Sequence, residues 1–133
     1  MAFIEWKNDY LLDNDTIDEQ HQHLFLLYNK TYSSYVDEEN TINLFSIIDE
    51  LYDYVVYHFA AEEKLMLVSG YPDYNKHADE HRKFARRISE YKLDLLTRRK
   101  SIAEDMIFYL GNWLVNHIAK IDVQYGDYIR TAE

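Results

Sequence analysis

The sequence predicts an all-α protein, an up-down-up-down antiparallel four-helix bundle with an extended N-terminal arm. Three observations lead there. Only 3 Gly and 1 Pro occur in 133 residues, so the chain has few places to break and long helices are its economical solution. Apolar residues recur at spacings of three and four in four separate stretches, the period of one helix face. No stretch alternates apolar and polar residues long enough to form a strand, and there is no internal repeat or low-complexity segment. At this length a single domain, 1–133, can bury a continuous core.

Residues 1–15 show no helical period and read as the arm, ending in the turn-prone Asp13-Asn14-Asp15. Thr16 and Glu19 have capping-box spacing and open a first helix over about 16–36, with His21, Leu24, Phe25, Tyr28, Tyr32 and Tyr35 on one side. Asp37 to Asn40 lead to a second helix over about 41–68, striped by Leu44, Ile48, Leu51, Val55, His58, Glu62 and Leu65. Ser69-Gly70-Tyr71-Pro72 stops it. Asp73 can cap a third helix over 73–99, which aligns His77, His81, Phe84, Ile88, Tyr91 and Leu95. Ser101 with Glu104 repeats the capping-box pattern and opens a fourth over 101–131, carrying Met106, Leu110, Trp113, His117 and Ile121. Short connections make sequence neighbours antiparallel.

Composition removes several functions. Against 24 Asp plus Glu stand 14 Lys plus Arg, and a net charge of −10 repels a phosphate backbone, which argues against nucleic acid and anionic membranes as partners. With no Cys, disulfides, thiolate metal sites, iron–sulfur clusters and a Cys nucleophile are excluded together. Met1 to Tyr10 has no basic segment followed by an apolar run, and no uncharged stretch reaches the roughly 18 residues of a membrane span. A soluble, cytoplasmic protein is expected.

Five of the six His residues, His21, His58, His77, His81 and His117, lie on the core-facing stripes, where imidazole needs a partner to be buried cheaply. His23, roughly 200° around the helix from His21, should point outward as an ordinary surface His. His77 and His81, at i and i+4, project from one face like two ligands of one metal, a weak signal alone. His58 and Glu62 repeat that spacing with a carboxylate, which can bridge two cations as imidazole cannot. His117 and Asp122 are five apart, roughly 140° around a regular helix, so either a π-type widening or an approach from both sides of the stripe is needed.

Antiparallel alternation brings all seven residues toward one end of the bundle. The other end is filled by Tyr35, Leu44, Ile48, Ile88, Tyr91, Leu95 and Met106, read as plain core. Burying five imidazoles and two carboxylates in one layer without a metal would be very costly. Zinc stays open chemically. Seven N and O ligands with two potential bridges suit a higher-coordinate dinuclear centre better than tetrahedral zinc.

The order His, His-x-x-x-Glu, His-x-x-x-His, His-x-x-x-x-Asp, written here as DEQH, HFAAE, HADEH and HIAKID, resembles the hemerythrin family signature across all four helices. The long intervals between His21 and His58 and between His81 and His117 are more similar to its bacterial branch. The resemblance implies one iron held by His77, His81 and His117, a second by His21 and His58, bridges from Glu62 and Asp122, and an oxo or hydroxo bridge between two non-haem irons. If both irons are octahedral, one place stays open, on the iron with two His. Molecular oxygen is the partner so implied, bound reversibly for storage, delivery or scavenging, with no catalytic residue and no enzyme activity; a protein partner is not indicated. The alternatives are sensing of oxygen or nitric oxide, and a di-iron oxidase or peroxidase.

Ferritin-like carboxylate sites are richer in anions than this set. Five neutral imidazoles should stabilise high-valent iron less and so favour reversible binding. Leu24, Phe59, Trp113, Leu114 and Ile118 match the family's apolar oxygen pocket, and Tyr125 matches a tyrosine behind its ligands, although each suits an ordinary bundle core equally. None of the 13 Tyr is assigned a redox role. One departure is Leu12-Asp13-Asn14-Asp15-Thr16, where the family often has a Gly-containing turn.

Overall fold

The four predicted stripes become the inner faces of four helical rods. The computed structural model describes residues 4–12, 14–36, 41–96 and 100–132, and within them the side chains at all positions but 41–43, 100–102 and 129–132. The rods are α1 (Asp15–Val36), α2 (Thr41–Ser69), α3 (Tyr74–Leu96) and a fourth, which starts as α4 (Lys100–Asn116), widens into a π-helical turn at His117–Asp122 and resumes as α5 (Val123–Ala132). α1 packs on α2, α2 on α3, α3 on α4, and α4 back on α1, which closes the bundle. Among the described residues there is no strand, and no helix is long and apolar enough to cross a membrane. The connections expected at 37–40 and 97–99 lie outside the described residues.

The helix ends correct the expected boundaries by a residue or two. α1 is capped by Asn14, not by the Thr16–Glu19 pattern: Asn14 Oδ1 accepts the Ile17 N–H at 3.1 Å, and its carbonyl accepts the Asp18 N–H at 2.8 Å. Asparagine caps at least as well as threonine, and from two residues upstream it starts the helix earlier. The Ser69-Gly70-Tyr71-Pro72 stop is a Schellman motif, with Gly70 at φ 70°, its N–H on Leu67 O at 3.2 Å and the Tyr71 N–H on Met66 O at 3.0 Å. Asp73 accepts the His77 N–H through its carbonyl at 3.0 Å, so α3 proper begins at Tyr74. The Ser101 cap falls on a side chain outside the described residues.

The arm is not extended throughout, because Asn8–Tyr10 curl into a 3₁₀ turn. Three contacts hold it to α1 and the fourth rod. Asn29 accepts the Ile4 N–H and donates to the Ile4 carbonyl, both at 2.9 Å. Trp6 and Tyr10 pack on Phe25 with ring centroids 5.2 and 5.8 Å away. Leu12 donates its N–H to Asp18 Oδ1 at 2.7 Å and lays its side chain on Gly126, where an added Cβ would sit 2.9 Å from Leu12 Cδ2. The close approach is what requires glycine there.

Of the three apolar clusters among the described residues, the two larger ones divide the bundle lengthwise. The larger contains Leu24, Leu51, Val55, Phe84, Leu110 and Leu114, and extends to Leu44, Ile48, Ile88, Tyr91 and Met106, with Tyr35 and Leu95 half-buried against it. The smaller contains Leu12, Ile17, Met66 and Tyr125. Each fully buried aliphatic side chain stabilises the fold by about 1.5–3 kcal/mol. On every rod the His, Glu and Asp positions fall between the two clusters, so the polar layer is sealed above and below.

Candidate metal centre

All seven candidate ligands meet in that layer, and each is at most 4 % exposed. They form two nests whose potential ligand atoms lie within 4.8 Å of one another: His77, His81 and His117 with Glu62 and Asp122, and His21 and His58 with the same two carboxylates. His23 stays outside, half-buried with its ring 4.3 Å from that of Tyr54.

The carboxylates divide their oxygens between the nests. Glu62 Oε1 lies 2.9 Å from His77 Nε2 and 3.2 Å from His81 Nε2, while Oε2 lies 3.1 Å from both His21 Nε2 and His58 Nε2. Asp122 Oδ1 lies 2.8 Å from His77 Nε2 and 3.0 Å from His117 Nε2, and Oδ2 faces His21 Nε2 at 3.1 Å. Each acid therefore presents one oxygen to each nest, the disposition of a bridge. Asp122 reaches this place through the π-helical turn His117–Asp122, one of the two arrangements the five-residue spacing allowed.

The donor set fits a pair of cations. His117 Nε2 lies 3.0 Å from His81 Nε2 and 3.1 Å from His77 Nε2, yet the His81 Nδ1–H donates to Glu63 Oε2 at 3.0 Å, which leaves a lone pair on His81 Nε2 in the neutral ring. Likewise His58 Nδ1 donates to Gln20 Oε1 at 2.7 Å, so its Nε2 lone pair faces the Glu62 oxygen. Among the described residues, neither fully buried Asp122 oxygen has an aligned hydrogen bond. Lone pairs converging in a dry cavity repel unless a cation sits among them. With bonds of about 2.1 Å, an octahedron's edge is about 3.0 Å and a tetrahedron's about 3.4 Å. The donor spacings of 2.8–3.2 Å match the octahedral edge.

Without a cation the layer polarises itself. Burial opposes charge on His21 and His77, but Asp122 and Glu62 outweigh it and push His21 up to about 9 and His77 up to about 10. Burial likewise works against ionised Glu62 and Asp122, yet the surrounding imidazoles hold both carboxyls well below their ordinary range. In His58 desolvation dominates and its pKa is lowered.

The five expected pocket residues flank the layer without forming one cluster. Leu24, Phe59 and Leu114 belong to the larger apolar cluster, with Trp113 half-buried against it, whereas Ile118 packs with Tyr10 and Phe25 under the arm. Phe59 stacks on His81 at 3.7 Å and 3°, and Trp113 stacks on His117 at 4.3 Å and 10°. Tyr125 is buried with its ring 6.1 Å from that of His77, and its hydroxyl has no hydrogen-bond partner among the described residues.

Three polar partners escaped the sequence reading. Gln20, Glu63 and Glu80 each approach a histidine Nδ1 of the next helix in the chain: His58, His81 and His117, the last at 3.3 Å. Each sits beside a candidate ligand in sequence and so looks like a surface residue by periodicity. Adjacency to a ligand was the available signal.

A four-helix bundle whose buried N and O donors form two nests with shared carboxylates defines a metal-binding class of helical protein. The comparisons with known proteins narrow it. Residues 12–129 match the family model of the hemerythrin HHE cation binding domain. Curated relatives include a bacteriohemerythrin of Stenotrophomonas maltophilia, 32% identical over 98% of this chain and 84% of its own length, and one of Clostridium acetobutylicum, 30% identical over 92% and 98%. A crystal structure of wild-type hemerythrin superposes with a TM-score of 0.82 at 28% identity, covering 95% of this chain and 97% of its own. The chain belongs to the hemerythrin family.

Proposed function

We propose that the chain binds molecular oxygen reversibly at a non-haem di-iron centre, as a store, carrier or scavenger and not as an enzyme. The observation that carries this reading is the division of Glu62 and Asp122 oxygens between a three-histidine and a two-histidine nest. His77, His81 and His117 would hold one iron, His21 and His58 the other, and the carboxylates would bridge them. Ferrous iron held there would supply electrons to bound oxygen and recover them on its release.

The protein's own part is to fix geometry and keep out water. The two-histidine nest offers one protein donor fewer, which leaves room for a small ligand on that side. Leu24, Leu114 and Ile118, each almost wholly buried, together with Phe59 and Trp113, surround the layer with apolar surface, and exclusion of water and protons slows irreversible oxidation. Five neutral imidazoles against two carboxylates disfavour the high-valent states an oxidase needs.

The test is anaerobic reduction of iron-loaded protein followed by stopped-flow mixing with oxygen. A coloured adduct that disappears under vacuum and returns in air is expected. Catalytic turnover with added reductant, or iron content far from two per chain, would refute it.

A further inference from the structure

The two nests differ in what stands behind their imidazoles. In the three-histidine nest, His81 Nδ1 donates to the Glu63 carboxylate at 3.0 Å, and Glu80 Oε2 lies 3.3 Å from His117 Nδ1 as a charge contact. In the two-histidine nest, His58 Nδ1 donates at 2.7 Å to a neutral amide, Gln20 Oε1; among the described residues His21 Nδ1, like His77 Nδ1 and His117 Nδ1 of the other nest, has no hydrogen-bond partner, so the difference between the nests lies in Gln20 against Glu63 and the nearby Glu80. The pattern follows the chain: α1 supplies the acceptor for α2, α2 for α3 and α3 for α4. His21 and His77 stand outside this pattern, with no hydrogen-bond partner at Nδ1 among the described residues.

A carboxylate behind an imidazole fixes its tautomer and pushes electron density toward the far nitrogen, making a stronger donor; an amide fixes the tautomer with little added charge. Gln20 is only 6 % exposed, so solvent does little to mask the nature of its side chain. Glu62 and Asp122 serve both nests and cannot create a difference between them.

We propose that Gln20 is a positioning residue that sets the two-histidine half apart: it aims His58 Nε2 inward while withholding the negative charge that Glu63 and Glu80 lend to the other half. The three-histidine half is then the tighter and more electron-rich, and the half with room for a ligand is the weaker donor set. This rests on the dinuclear iron reading above.

Titration of metal-free protein with cobalt(II), followed by its visible spectrum, separates the halves without oxygen chemistry. The wild type should take two equivalents of unequal affinity. Gln20→Leu should weaken the second equivalent by about 10- to 100-fold and leave the first in place. Gln20→Glu, nearly isosteric, should tighten the second equivalent and lower the reduction potential of the iron-loaded protein, while Glu63→Gln weakens the first. A merely structural role would not move affinity and potential in opposite senses for Leu and Glu. If both Gln20 variants leave the second equivalent and the potential unchanged, or if Gln20→Leu weakens both equivalents alike, the inference is overturned. A wild type that takes fewer than two equivalents would instead overturn the dinuclear reading itself.

Discussion

His117 Nε2 and Asp122 Oδ1 lie 3.0 Å apart although five residues separate them, because the helix widens by one residue per turn between them. Regular α-geometry would turn Asp122 about 140° away from His117 and leave both nests without one of their shared acids. The π-helical turn is thus the local distortion on which the sharing of Asp122 between the two nests depends. Such turns are rare and concentrate at functional sites.

Removing one imidazole of the three-histidine nest should cost metal before it costs fold. His77 Nε2 touches both Glu62 Oε1 and Asp122 Oδ1, so His77→Ala loosens both bridges. We expect iron per chain to fall well below that of the wild type, with helical circular dichroism retained. Unchanged iron stoichiometry and colour would contradict the ligand assignment.

Metal-free protein should weaken in alkali. His21 at about 9 and His77 at about 10 are raised above the ordinary imidazole value of about 6.5. Raised values stabilise fully below the unfolded pKa and cease to do so as pH climbs through the folded one. Glu62 and Asp122, depressed, lose their contribution only on acidification. Melting temperature should therefore drop by on the order of 5–10 °C from about pH 7 to about pH 10. Metal loading at neutral pH should expel the His21 and His77 protons, read by calorimetry in buffers of different ionisation enthalpy. A flat melting profile across that range would count against the buried ion pairs.

Gly126→Ala should dislodge the arm. The new Cβ would approach Leu12 Cδ2 to 2.9 Å and Leu12 Cβ to 3.1 Å, and overpacking of this kind costs about 1–3 kcal/mol. Denaturant melts should show that loss, and Leu12→Ala in the same chain should return part of it. Additive losses in the double variant would refute the contact.

Trp113→Ala should shorten the life of the reduced, iron-loaded protein in air. The indole stacks on His117 on one side and on Phe84 at 3.7 Å and 5° on the other, and it lines a surface groove of about 720 Å³. With that cover gone, water reaches the imidazole from the groove, and irreversible oxidation should speed up by on the order of tenfold, followed by its visible spectrum. An unchanged rate would mean that protection comes from elsewhere.

Much of this was legible from spacing alone. Inner stripes fix the four rods, and the convergence of the seven candidate ligands could be read because burial of so many polar groups at helical period has no cheap alternative explanation. Less legible were features decided across helices. Gln20, Glu63 and Glu80 lie beside the stripes and acquire their partners only when the next helix docks. Asn14 displaced Thr16 as the cap because two candidates two residues apart compete, and the capping-box spacing of Thr16 and Glu19 points to the weaker one. On α2, Met66 is fully buried where Leu65 was expected to lead, since it stands four residues from Glu62 and continues the line of His58. The 3₁₀ turn in the arm answers to Trp6 and Tyr10 packing on Phe25, a tertiary contact with no local signature.

The bundle keeps its reactive atoms near one end and ordinary hydrocarbon through the rest of its length. That separation makes the distal half interchangeable: whole turns added to or cut from α1 and α2 together, or from α3 and α4 together, would preserve register at the nests. A lineage could lengthen, shorten or fuse the molecule there, and even graft a second module onto it, while inheriting its chemistry untouched.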